Sequence, residues 1–170
     1  WSLARVALEN AGDLRPDHVE TWKALAEARK TLRDRPFAIA AYERVLELEP
    51  SFAPAYVELG ALHLATGYEN AALAAYESAA AALPEHPTVH ASLGFLRRKL
   101  GRHTEAVTAL TKASAIAPKD ARVWRELGMS LLTLGRWEES RRALQVSLGL
   151  DASSAETWKA FAEATRRAGK

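Results

Sequence analysis

Few residues in this chain are of a kind that does chemistry, and none is arranged for it. His86 and His90 stand four apart, a spacing that places two imidazoles on one helical face and would suit a pair of metal ligands. His86, however, precedes Pro87 in a connecting stretch, and neither a third histidine nor a carboxylate lies at helical ligand spacing, so packing is predicted for His90. His63 falls on an inward-facing phase, where a hydrogen-bonded interior histidine is expected. Ala168-Gly169-Lys170 lacks the glycine-rich loop and the hydroxyl of a phosphate-binding turn. Glu138-Glu139 reads as the opening of a helix, where carboxylates favour the positive end of the dipole. There is no cysteine, hence no disulfide, zinc thiolate or thiol nucleophile, and no nucleophile–base pair is visible. No catalytic residue, cofactor or metal is predicted, and the chain is read as non-enzymatic.

The elements that would position any site are set by repetition. Pro16, Pro50, Pro84 and Pro118 are spaced by 34 residues, as are Gly60, Gly94 and Gly128, and Gly67, Gly101, Gly135 and Gly169. Large rings recur at Trp22, Tyr56, His90, Trp124 and Trp158. Leu25, Leu59, Leu93, Leu127 and Phe161 follow three residues later, and small residues recur at Ala4, Ala38, Ala72, Ala106 and Ser140. A shared period of this length means a repeat architecture. Each period holds two stretches of about 14 residues with apolar positions at i, i+3, i+4 and i+7, the pattern of amphipathic helices. Gly67, Gly101 and Gly135 are predicted to end first helices, and the prolines at 50, 84 and 118 to end second ones. Gly60, Gly94 and Gly128 fall inside helices, where glycine costs about 1 kcal/mol relative to alanine. A cost repeated at one phase predicts close approach of a neighbouring helix.

These residues resemble the tetratricopeptide repeat (TPR) family, whose 34-residue pattern has an aromatic, Leu-Gly, Gly, Ala, an aromatic or Leu, Ala and Pro at fixed offsets. The resemblance covers the whole chain: 1–18 as the second half of a repeat, 19–52, 53–86, 87–120 and 121–154 as full repeats, and 155–170 as the first helix of another. Arg29, Arg97 and Thr165 depart from a preferred aromatic, Ala152 from the proline, and Ala26 and Ala162 from the glycine. The resemblance implies an all-α, right-handed superhelical solenoid of antiparallel helix pairs. Its first helices would line a concave groove that holds a protein or peptide segment.

The family's groove positions, carried over residue by residue, mark Val57, Leu64, Phe95, Arg98, Arg122, Arg125, Met129, Leu132 and Lys159 as the candidate partner-binding set. Across all the family's groove positions, the first two repeats carry Lys23 and Lys30 against Glu20, Glu27 and Glu58, and the remainder carries Arg98, Lys99, Arg122, Arg125, Lys159, Arg166 and Arg167 against Glu126, Glu156 and Glu163. The expected partner therefore has apolar anchors and acidic residues. Burying Phe95 or Met129 would contribute about 1.5–3 kcal/mol each, against about 0–1 for an exposed ion pair. Structural roles compete: Leu64 and Leu132 can pack within the array, and Arg97-Arg98-Lys99 and Arg166-Arg167 can be solvated helix ends that oppose the dipole. The motifs of two familiar TPR binding modes are missing. Glu27 and Glu58 stand where a carboxylate clamp has asparagine, and Ala24, Glu58, Ser92 and Glu126 replace an asparagine ladder.

The chain has 170 residues, 48% hydrophobic, with 23 basic and 21 acidic side chains. Disorder is excluded by that apolar fraction, and a net charge of +2 gives no electrostatic case for nucleic acid or a membrane surface. No stretch approaches the roughly 18 apolar residues of a membrane span. Trp158 and Phe161 are expected to be incompletely covered, which makes end-to-end self-association an alternative, as is service as the recognition arm of a larger enzyme. The cytoplasm is the expected compartment and the periplasm the alternative.

Overall fold

The computed structural model describes residues 16–169, and nine α-helices with no strand occupy them. They are α1 (Val19–Thr31), α2 (Arg35–Leu48), α3 (Ala53–Ala65), α4 (Glu69–Ala82), α5 (Pro87–Lys99), α6 (His103–Ile116), α7 (Ala121–Thr133), α8 (Trp137–Leu150) and α9 (Ala155–Ala168). The expected half-repeat over 1–18 lies almost wholly outside the described residues. The chain forms two compact units, one ending at Leu83 and the other beginning at Pro84. Within each, successive helices pair through connections of a few residues, the all-α TPR architecture. No helix is long and apolar enough to cross a membrane among the described residues.

In the first unit, Leu25 and Ala26 of α1 meet Ala38, Tyr42 and Val45 of α2 and Leu59 of α3 in one buried cluster. In the second, Leu110 and Ala113 of α6 pack with Val123, Leu127 and Leu131 of α7. A smaller cluster joins Leu144 of α8 to Ala160 and Ala164 of α9. The in-helix glycines are where helices meet: a Cβ on Gly94 would lie 2.5 Å from Leu110 Cγ, and one on Gly128 2.5 Å from Leu144 Cγ. Normal carbon contacts are about 3.5–4.0 Å, so these positions are closed to side chains as the backbone stands. Ser140 donates its hydroxyl to the Gly128 carbonyl at 2.7 Å, tying α8 to α7 at the same level.

First helices end in a common motif. The N–H of residue 34, 68, 102 or 136 reaches back five residues to the carbonyl of Arg29, His63, Arg97 or Leu131. The residue before each donor sits left-handed: Gly67 (φ 83°), Gly101 (φ 75°) and Gly135 (φ 75°), but Arg33 (φ 59°) in the first unit. This is the Schellman arrangement, which favours glycine because a Cβ is strained there. Arg33 is the one position of the four that carries that strain.

The ring series has a function the spacing alone does not reveal. Each ring's polar tip bonds the backbone carbonyl six residues earlier: Trp22 Nε1 to Pro16 at 3.1 Å, Tyr56 Oη to Pro50 at 3.2 Å, Trp124 Nε1 to Pro118 at 2.8 Å and Trp158 Nε1 to Ala152 at 2.9 Å. His90 does the same through Nε2 to Pro84 at 2.8 Å. A carbonyl only accepts, so the proton is on Nε2. The packing role expected for His90 is therefore joined by a turn-closing hydrogen bond.

His63 corrects its expectation. It is half-buried with its ring edge-on to Tyr68 at 6.5 Å between centroids, and Nδ1 is buried without a hydrogen-bond partner. Its neighbour along the chain, Tyr68, is an exposed aromatic and supplies an edge rather than an acceptor.

Candidate functional site

The predicted set divides between the units. Val57 and the 38%-exposed Leu64 lie on α3 in the first; Phe95 and Arg98 (α5), Arg122, Arg125, Met129 and Leu132 (α7) and Lys159 (α9) lie in the second. Met129 and Leu132 pack partly buried against the cluster that Leu144 forms with α9, so both are in part structural. Phe95 lies against the α6–α7 core by one part of its ring.

On the first unit's face each of two lysines sits between two carboxylates. Lys23 is held between Glu20 at 2.9 Å and Glu49 at 2.7 Å, with its ammonium 4.1 Å from the Phe52 ring centre. Lys30 is held between Glu27 at 2.9 Å and Glu58 at 3.1 Å, which bridges α1 to α3. The hydrogen bonds that Lys23 donates to Glu49 and Glu20 raise its pKa. Burial pushes the Glu27 carboxyl up, but the Tyr42 hydroxyl and Lys30 outweigh it and leave it below its usual value. The Tyr42 phenol moves the other way, raised by burial first and then by its hydrogen bond to Glu27.

The second unit is different. Glu126, only 6% exposed, is shared by Arg98 from α5 and by Arg125, whose NH2 is at 3.2 Å. Arg125 Nε is buried and makes no hydrogen bond. One turn away on the same two helices, the Arg122 guanidinium carbon lies 4.2 Å over the Phe95 ring centre, a cation–π contact. Arg122 and Lys159 have no carboxylate within ion-pair distance among the described residues. Asp151 feels Arg125 only weakly; its carboxyl is lowered chiefly by the Ser153 hydroxyl and N–H. Glu126 is already one of the three carboxylates counted against seven cations in this half, so its pairing leaves that balance unchanged.

Two expectations change. The arginines read as solvated helix ends are paired: Arg97 meets Glu105 at 3.6 Å, Arg98 meets Glu126, Arg166 meets Glu163 at 2.8 Å, and Arg167 both pairs with Glu163 and covers the Trp137 ring at 4.9 Å. Phe95, read as an open apolar anchor, already carries a guanidinium on one face. The Arg97–Glu105, Arg98–Glu126 and Arg122–Phe95 contacts join different helices, whereas Arg166 and Arg167 meet Glu163 within α9. Trp158 and Phe161 are incompletely covered, as expected: Trp158 is 50% exposed and packs edge-to-face with Phe161 at 6.2 Å. No group of three or more metal-ligating side chains forms among the described residues.

Helix pairs of one 34-residue period, with glycine contacts between helices, ring-to-carbonyl turn bonds and a charged first-helix face, define a TPR-type protein-interaction scaffold. Within that class, the chain belongs to the family of the cilia and flagella-associated protein 70 C-terminal domain, whose model matches residues 2–170. Among solved structures it is similar to YrrB, described as a TPR protein with an unusual peptide-binding site, at TM-score 0.85 and 21% identity over 96% of this chain and 84% of that one. It is also similar to MamA, at TM-score 0.82 and 18% identity over 89% of this chain and 82% of that one. These likenesses speak for the fold. A peroxisomal targeting signal receptor of Komagataella phaffii is 36% identical over 70 residues, 41% of this chain, and the match spans 12% of that receptor's length.

Proposed function

We propose that the chain binds a protein or peptide segment on the first-helix face of its second unit, and that the segment presents an apolar side chain next to acidic ones. The observation that carries this is the Phe95–Arg122 pair: a partly exposed ring beneath a guanidinium that meets no carboxylate among the described residues. Such a pair offers apolar area and positive charge at one point, and Lys159 adds a second cation on α9. Apolar contact would set affinity, while the charges would set orientation and association rate. The peptide-binding site named for YrrB and the targeting-signal receptor among the relatives support a segment as the ligand. Val57 and Leu64 are the corresponding apolar positions of the first unit, where carboxylates outnumber cations.

The test is selection from a displayed peptide library on the whole chain and on Phe95→Ser, with Val146→Ser on α8 as control and helicity checked for each. Sequences that combine an apolar residue with Asp or Glu should be enriched by the parent and the control and lost with Phe95→Ser. Enrichment that survives Phe95→Ser would overturn the assignment. A second reading is self-association through α9, favoured by the half-exposed Trp158. It predicts a molar mass that rises with concentration and falls back with Trp158→Ser.

A further inference from the structure

On the second unit's face two part-exposed guanidiniums, Arg98 and Arg125, meet one buried carboxylate, Glu126, which balances one of their two charges. Arg122, exposed and one turn away, lies over the Phe95 ring and has no ion pair among the described residues. Even with the more distant Asp151 counted, the cations are in excess. The residues form two rungs between the same helices: Phe95 with Arg122, then Arg98 with Glu126 and Arg125 one turn further along each helix. A guanidinium held over a ring need not spend its N–H groups on that contact, and those groups recognise carboxylate and phosphate oxygens in bidentate fashion. Elsewhere in the second unit Arg97 and Arg102 meet Glu105, Arg141 and Arg142 meet Glu138, with Arg141 at 2.8 Å, and Arg136 pairs with Glu139 at 2.6 Å; Arg122 differs from these in lying over a ring.

We infer that Arg122 and Arg98, steadied by Phe95 and Glu126, form a seat for one oxyanion of the bound segment, a carboxylate or a phosphate monoester. Glu126 is then a positioning residue: it holds Arg98 and Arg125 in place and neutralises only one of them. This rests on the reading of the face as the interaction surface, and it adds the chemical group that the face selects.

The experiment is NMR of the arginine Nε–Hε groups in the whole chain, titrated at constant ionic strength with N-acetyl-O-phosphoserine methylamide and, separately, N-acetyl-glutamate methylamide. Arg136 and Arg141, already paired, serve as internal controls. The expected result is saturable movement of the Arg122 and Arg98 signals while the controls stay still. Arg122→Gln should weaken the response at Arg98 by about tenfold, the loss of one charge-assisted contact. Saturation by both probes supports the seat; saturation by the phosphoserine probe alone assigns a phosphorylated segment, and by the glutamate probe alone an acidic one. Absent or non-saturable shifts, or shifts shared equally by the controls, overturn it. If the probes fail while library peptides still depend on Phe95, only the seat falls. If the probes bind but no peptide depends on Phe95, the face falls as a peptide site and the anion seat stands.

Discussion

Replacing Gly128 by alanine should destabilise the second unit, whereas the equivalent change at Gly60 should be nearly neutral. Both changes gain about 1 kcal/mol from the better helix former. At Gly128 the new methyl would fall 2.5 Å from Leu144 Cγ, 2.8 Å from its Cδ2 and 3.3 Å from its backbone nitrogen. Leu144 is fully buried, and its branch point is the atom struck, so relief requires α8 to draw back. Overpacking of this kind costs about 1–3 kcal/mol, which leaves a net loss of about 1 kcal/mol. At Gly60 the methyl would meet only Tyr76 ring atoms, 2.7–2.8 Å away at the far end of a side chain. The chain already contains the outcome: Ala26 and Tyr42, at the same two phases in the preceding repeat, are both buried in one cluster. Urea unfolding followed by circular dichroism, with hydrogen exchange to separate the units, measures both variants. A double-mutant cycle with Leu144→Ala should show coupling, because the smaller side chain leaves room for the methyl. Equal losses at Gly60 and Gly128, or no coupling to Leu144, would refute the steric account.

Other consequences are as directly measurable. Arg33→Gly should stabilise the first unit by about 0.5–1 kcal/mol in urea unfolding, since the left-handed residue of its helix end is the one that carries a Cβ. Tyr42→Phe should lose about 1 kcal/mol with the hydrogen bond to Glu27. In the parent, a phenol whose folded pKa is raised gives stability that is fully present below 10.0 and lost as the pH rises beyond it, so alkaline titration should loosen the first unit before Tyr42 itself ionises. The Glu138 carboxyl, lowered to about 2 chiefly by its hydrogen bond with Arg141, contributes stability present above 4.5 and lost as the pH falls towards 2. Carbon-detected titration of Glu138 should show that low midpoint, and Arg141→Gln should move it upward.

Helix positions and contact glycines were legible because they depend on phase alone: any residue 34 positions from another meets the same neighbours. The helix-ending role of Gly67, Gly101 and Gly135 could be read for the same reason. Arg33 was not, since the marker residue is missing although the backbone keeps its shape. The ring tips' carbonyl partners escaped notice because a ring and a residue six earlier meet only when the intervening turn closes. At the candidate face, residue types and helix were readable, and so was the sign of the charge. The pairing of Arg98 with Glu126 was not, because it depends on how α5 and α7 are rotated against each other. His63 was misjudged because a helical phase gives direction towards the core and says nothing of whether an acceptor waits there.

The ring-to-carbonyl bonds bear on how such a chain can change its length. Donor and acceptor lie six residues apart, so the bond belongs wholly to one junction and makes no demand on any other. Removing or duplicating any stretch of 34 residues, wherever the cut falls in the period, regenerates a ring facing a carbonyl at the same separation. Ala152, which fills the acceptor role without being proline, shows that the carbonyl and not the ring of the acceptor residue is what the junction requires. Gain or loss of a whole repeat therefore leaves this bond intact at every junction.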